Sequence, residues 1–262
     1  MSSADAPSRP NNQAAPRGRD AALLIGIVLA FLAVRVPSLN NAPSTEVTEH
    51  LEYGVLARLT LEGIDAPISA LKPFPHEGGS LLLGPCCVPV YVAFGPSEWS
   101  LRLCNLLWHG ATLGVFAGIA LLLLGRLPAL LFGLVWTLAP PEPVRLMQHG
   151  WANHAETGLL AGLGLLGLVL ALRSERRGTA WLLAGGCAVG LSVFFHFSAL
   201  PAAAALGLLV LAARRVRRIR VGAAVLGVLI GLSPLLWTGG YTDRMSWDRA
   251  GEKLGVLLIS GS

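Results

Sequence analysis

Charge is scarce in this chain. Asp, Glu, Lys and Arg make up 13% of 262 residues, about half the roughly 25% usual in a soluble domain. The apolar residues that take their place, 53% of the total, run in blocks of roughly 15 to 25, the length scale of a bilayer. An ordinary water-soluble fold is thereby excluded. Cysteine is also sparse: Cys86, Cys87, Cys104 and Cys187 show no CxxC spacing, which argues against a zinc ribbon or a thioredoxin-type centre. The neighbours Cys86 and Cys87 are ill placed to bridge one another, and all four read as small apolar fillers.

A basic patch is missing too. The net charge is +5, but the arginines sit in short clusters between apolar blocks, so nucleic acid is not expected as a partner. Residues 162–167 spell GxGxxG (Gly162, Gly164, Gly167). They lie inside an apolar run with no strand before them, and the dinucleotide-binding reading fails on that context. Small residues there, including Gly158 and Gly162 at GxxxG spacing, suit close helix packing.

What is present is a series of apolar segments at about 21–38, 80–94, 101–124, 127–144, 156–172, 179–197, 199–213 and 221–238. Residues 1–20 carry no apolar run and read as a disordered cytoplasmic tail. The first segment lacks a clear small-x-small site and reads as an uncleaved helix rather than a cleavable leader. Segment 80–94 contains Gly84, Pro85 and Pro89. If it spans, Arg126, Arg173, Arg176, Arg177, Arg214, Arg215, Arg217, Arg218 and Arg220 all face away from the cytoplasm, against the positive-inside bias. If it is re-entrant or juxtamembrane, they lie inside with the tail. The expectation is therefore an all-α polytopic membrane protein of about seven spanning helices, with a long first outer loop at 39–100 that carries juxtamembrane helices. The membrane module covers 21–240 and an outer C-terminal segment 241–262.

That topology gathers most acidic residues, and five of the six histidines (His50, His76, His149, His154, His196), on the outer face. A loop needs no histidine for solubility, so a functional cleft is expected there. In STEVTEHLEYG, Glu46, Glu49 and His50 would share one face of a helix. Paired carboxylates beside a membrane suit a general base with a helper, or a divalent metal facing a phosphate. In PFPHEGGS, His76 and Glu77 precede Gly78 and Gly79, which either admit a ligand to the backbone or simply open a turn. In QHGWANHAETG, Asn153 and Glu156 resemble a capping box, yet His149, Trp151, His154 and Glu156 also form a polar and aromatic set suited to a sugar or phosphate. His196 is expected at the same level.

In this order the residues resemble membrane glycosyltransferases of the GT-C superfamily, in the protein O-mannosyltransferase and aminoarabinose transferase branch. The resemblance rests on Glu46 and Glu49 in the first loop, then His76 to Ser80, then Phe94-Gly95-Pro96-Ser97-Glu98 with Arg102. Gly125-Arg126 and Glu156 follow. The Asp-Glu pair that typically opens that family's loop has no counterpart here, and His76-Glu77-Gly78 stands where His-Pro-Pro is usual. The resemblance implies transfer of a sugar from a polyprenyl-phosphate donor at the outer face of the inner (plasma) membrane. Glu46 or Glu49 would be the catalytic base. Arg102, His76 and His154 would bind the donor phosphate, and His50, Glu77, Trp151, Glu156 and His196 would contact substrate. No cofactor is specified, a divalent metal is left open, and a second subunit is admitted as a partner beside membrane lipids. The alternative is a non-catalytic protein that binds or transports a polyprenyl lipid. A metal-binding protein using the outer histidines lacks tight ligand spacing.

Overall fold

A computed structural model describes residues 18–41, 48–64, 82–148, 154–174, 176–212 and 218–237. These residues form helices throughout, with no β-strand among them. Helix α1 (Gly18–Arg35) runs into a 3-10 turn (Val36–Asn41). Helices α2 (Thr48–Leu61) and α3 (Leu83–Phe94) follow, then α4 (Glu98–Leu124), α5 (Arg126–Thr137), α6 (Pro141–Gln148), α7 (His154–Arg173) and α8 (Gly178–Phe195). After a 3-10 turn (Phe197–Ala199) come α9 (Leu200–Ala212), α10 (Arg218–Leu232) and the short α11 (Pro234–Trp237).

Four stretches are long and apolar enough to cross a membrane: Gly18–Asn40, Glu98–Leu124, His154–Arg173 and Gly178–Phe195. The remaining apolar helices are shorter. Helix α5, for example, has 12 residues, about 18 Å at 1.5 Å per residue, against a hydrocarbon core of about 30 Å. Prolines shorten it. The apolar segment expected at 127–144 is broken near Pro140, Pro141 and Pro143, which lack the N–H that would continue the α5 ladder, and α6 starts afresh at Pro141. At the other end of the sequence α1 opens at Gly18, inside the stretch assigned to the tail, with Asp20 in its first turn.

Contacts between helix termini fix which ends lie together. Asp20 pairs with Arg126 at 2.8 Å, and the Arg173 guanidinium donates to the Leu122 carbonyl. Gly178 lies against the Arg220 side chain and the Ala171 carbonyl. These residues make an arginine end. At the opposite end Arg35 donates to the Ala139 carbonyl at 3.0 Å. Gln148 donates to Ser38 Oγ at 2.7 Å, and Ser38 in turn donates to the Arg35 carbonyl. The end of α1 and the turn after it are thus tied to the residues that follow α5 and to the last residue of α6. His154 and His196 also meet at this end, the histidine end.

Two glycines make the sharp links between long helices. Gly95, at φ +79°, closes α3, and Gly125, at φ +97°, joins α4 to α5. A side chain is strained at such φ values. Ser97 then caps α4, its Oγ accepting from the Ser100 N–H at 3.2 Å, while Ser100 Oγ donates to the Gly95 carbonyl at 2.7 Å. The α3–α4 corner is therefore defined by local chemistry.

Small residues set the helix packing. Helices α8 and α10 approach so closely that a Cβ on Gly186 would lie 2.3 Å from the Ala224 carbonyl oxygen, and one on Gly227 would lie 2.2 Å from that of Leu183. Gly190 and Gly231 repeat the arrangement one turn on. In the GxGxxG stretch, Gly164 and Gly167 pack on α8 at Gly185, whereas Gly162 faces Val115 and Phe116 of α4. These six-residue glycines serve helix contact, as the absence of a preceding strand implied.

Candidate functional site

The histidine end gathers the polar groups. Along α4, Glu98, Arg102, Asn105, His109 and Thr112 follow i, i+4, i+7, i+11, i+14 spacing and lie in one line. Arg102 is 4% exposed and Asn105 fully buried. Such residues in an apolar helix are costly and normally face a protein interior. Arg102 pairs with Glu98, one turn earlier, and Nη1 reaches the Leu39 carbonyl at 3.4 Å. It therefore clamps the turn after α1 to the first turn of α4. Glu98 itself is 42% exposed in its side chain, so one flank of the pair meets the surroundings.

Glu156, in the first turn of α7, is fully buried. Its neighbour Thr157 is buried as well, and the Thr157 carbonyl accepts from Ser192 Oγ of α8 at 3.0 Å. Glu156 lies within electrostatic reach of α3: burial, then Cys104, then Glu156 push the Cys86 thiol up from its ordinary value. The position expected to touch substrate is thus an interior carboxyl between α3, α4 and α7.

His154 is exposed at the head of α7. Its ring centroid lies 4.6 Å from that of His196, at the end of α8, with the planes inclined by 47°. The Ser198 backbone N–H donates to His196 Nδ1 at 3.0 Å, and Ser198 Oγ lies 2.7 Å from the same nitrogen. An N–H can only donate, so Nδ1 carries its lone pair there and the neutral ring bears its proton on Nε2. The shared level expected for His154 and His196 is observed, and their stacking gives it a geometry.

Beside this cluster an open cavity of about 260 Å³ lies between α3, α4 and α7, lined by Cys86, Cys104, Leu107, Trp108, Ala111 and Leu159. It is almost wholly apolar and begins within three turns of the α4 and α7 N-termini. Helix α2 buttresses α3 from behind, where Leu56 fills the space over Gly84.

Glu49, His50 and Glu52 fall on α2. Glu46, His76, Glu77, Trp151 and Asn153 lie outside the described residues. Of the expected site, the structure therefore brings together Arg102, His154, Glu156 and His196 at one end. Among the described residues no group of three or more His, Cys, Asp or Glu side chains could hold a metal ion. Asn105, Thr112 and Ser198 were not singled out from the sequence. The α4 spacing carried a signal for the first two; Ser198 is recognisable only once the chain turns after His196. No protein-family model, curated protein or solved structure matches the chain.

Proposed function

We propose that the chain is a membrane glycosyltransferase that moves a sugar from a polyprenyl-phosphate donor to an acceptor at the non-cytoplasmic face. The observation that carries this reading is an open apolar groove among candidate membrane helices, lined by Cys104 and Leu159, with Arg102 and Glu98 on α4 and His154 and Glu156 on α7 at the same end of those helices. An amphiphile with a charged head and a hydrocarbon tail matches both parts. The order of motifs from Glu46 to Glu156 adds the chemical class.

In this reading seven helices cross: α1, α4, α5, α7, α8, α9 and α10, with α2 and α3 at the outer surface. The arginine end holds Arg126, Arg173, Arg176, Arg177 and Arg220, which supports its placement in the cytoplasm. The histidine end then faces outward from the plasma membrane. Glu46 or Glu49 acts as base on the acceptor hydroxyl, and His76, His154 and Arg102 offset the charge that develops on the phosphate leaving group. His196, with its proton on Nε2, supplies a neutral donor to a substrate oxygen. A divalent ion or a second subunit is compatible with this scheme.

A second reading, a polyprenyl-lipid binding or transport protein without catalysis, is favoured by two observations. Arg102 is already engaged by Glu98 and the Leu39 carbonyl, and Glu156 is fully buried, as befits groups that shape a binding site. Equilibrium binding of a polyprenyl-phosphate sugar, measured beside its turnover in Glu46→Gln and Glu49→Gln, separates the two. Loss of turnover in one variant with binding intact identifies the base; binding without turnover in any form supports the carrier.

A further inference from the structure

The arginine end sets six arginines against a single carboxylate among the described residues. Arg19, Arg126, Arg173, Arg176 and Arg177 are exposed there, and Arg220 is half-buried. The carboxylate is Asp20, which already pairs with Arg126. Contacts hold the cations together. The Arg173 guanidinium stands against the last turn of α4 at the Leu122 carbonyl, and Arg220 lies against Gly178 at the start of α8. Between them the α7–α8 turn carries Arg176 and Arg177, fixed where the Arg177 N–H donates to Ser174 Oγ at 3.1 Å. Among the described residues no ion pair engages the side chain of Arg176 or Arg177. Beside the charge the surface turns apolar. Leu123, Leu124 and Leu127 are exposed around the α4–α5 turn, Leu172 is exposed next to Arg173, and Trp181 is exposed one turn into α8. An indole at that depth suits the boundary between headgroups and hydrocarbon.

From this pattern we infer that the arginine end is a docking surface for anionic phospholipid. Arg173, Arg176 and Arg177 take the headgroup phosphate, and the acyl chains lie along the exposed leucines beside them. The planar fork of a guanidinium can hold two phosphate oxygens at once, and its charge persists at any physiological pH. A nucleic acid or an acidic protein would complement the arginines but not the leucines next to them. A phospholipid complements both. Zwitterionic lipids carry the same phosphate with an ammonium that offsets it, so the surplus of arginine selects lipids with net negative charge. The inference requires that the long apolar helices lie in a bilayer, and it does not need the transferase reading. Only the choice of the cytoplasmic leaflet follows from the proposed orientation.

The test uses the full-length protein, purified and delipidated in detergent, with phosphatidylglycerol and phosphatidylcholine of identical acyl chains added in equal amounts. Native mass spectrometry counts the lipids that stay bound. Wild type is expected to retain phosphatidylglycerol over phosphatidylcholine by about fivefold or more, the gain of one basic residue at an anionic surface. Raising the salt is expected to shrink that ratio. Arg173→Gln, Arg176→Gln and Arg177→Gln combined bring it close to one, whereas Arg58→Gln on α2 leaves it unchanged. Equal retention of the two lipids by wild type, or a preference that survives in the triple variant, overturns the assignment. Inorganic phosphate that displaces phosphatidylglycerol as readily as the lipid itself does would overturn it too, leaving a site for the free ion. Arg173 also holds the Leu122 carbonyl, so Arg176→Gln with Arg177→Gln gives the same reading, a lowered ratio, should the triple variant alter the far-UV helix signal.

Discussion

His154 opens α7 and His196 closes α8, yet their rings lie 4.6 Å apart, centroid to centroid. The contact joins two candidate membrane helices at the end where Arg102 and Glu156 are also found. On the His196 side the ring is held by Ser198, whose backbone N–H donates to Nδ1 at 3.0 Å. Because a backbone donor selects the tautomer, the pair presents a defined proton rather than an averaged one.

The first prediction concerns that proton. Nitrogen NMR of histidine-labelled protein at neutral pH is expected to show His196 with Nδ1 unprotonated and Nε2 bearing hydrogen. Ser198→Ala keeps the backbone donor and leaves this pattern in place. Acid that protonates His196 ends the bond from the Ser198 backbone N–H and leaves Ser198 Oγ to accept from Nδ1–H; with His154 also charged the two rings repel at this distance. A spectrum with hydrogen on Nδ1 at neutral pH would contradict the assigned geometry.

The second concerns Arg102. Its guanidinium is buried and bonded to Glu98 and to the Leu39 carbonyl. Arg102→Leu is expected to lower stability in detergent by about 1.5–3 kcal/mol, the range for hydrogen bonds to charged groups. Glu98→Gln is expected to lower it by less than about 1 kcal/mol, because that carboxylate is partly exposed and the amide oxygen still accepts. Equal losses in chemical denaturation would show that Leu39 contributes nothing.

Helix packing gives the third. Gly227→Ala places a methyl 2.2 Å from the Leu183 carbonyl oxygen, and neither backbone can yield without separating α8 from α10. A loss of about 1–3 kcal/mol is expected, as for overpacking in a core. Gly222→Ala, which meets nothing within 4 Å, is expected to stabilise by about 0.5–1 kcal/mol through helix propensity alone. Thermal unfolding of the two variants side by side checks both signs.

Orientation supplies the fourth. Single cysteines introduced at Arg176 and at Ser198 in a chain lacking its own cysteines should label from opposite sides with a membrane-impermeant maleimide. The account places position 176 inside and position 198 outside in intact cells. Labelling of both from outside would remove the seven-helix topology.

Much of this architecture was legible beforehand. Helices α4, α7 and α8 begin and end within a few residues of the apolar segments, because block length and flanking arginines are one-dimensional signals. The prolines and the arginine distribution set segment 80–94 apart from the long apolar blocks, and Leu83–Phe94 is one of the shorter apolar helices. The split between α5 and α6 was missed because hydropathy averages over Pro140 and Pro141, whereas a hydrogen-bond ladder does not. The α8–α10 interface escaped notice for a different reason. Gly186, Gly190, Gly227 and Gly231 each sit at ordinary spacing, and only the pairing of two distant helices makes them close. Among the candidate site residues, residue type pointed to His154, Glu156 and His196, whereas Arg102 came from the family resemblance. Their roles depended on burial, which placed Glu156 in the interior and engaged Arg102 with Glu98.

The central claim is sugar transfer from a polyprenyl-phosphate donor, and its most direct test is turnover by the purified wild-type protein of a donor radiolabelled in the sugar. The account predicts that label leaves the lipid fraction at a rate proportional to protein, and that the polyprenyl phosphate is recovered intact. Label that stays on the lipid while the lipid stays bound would contradict it, and would leave the chain as a carrier of such lipids rather than an enzyme acting on them.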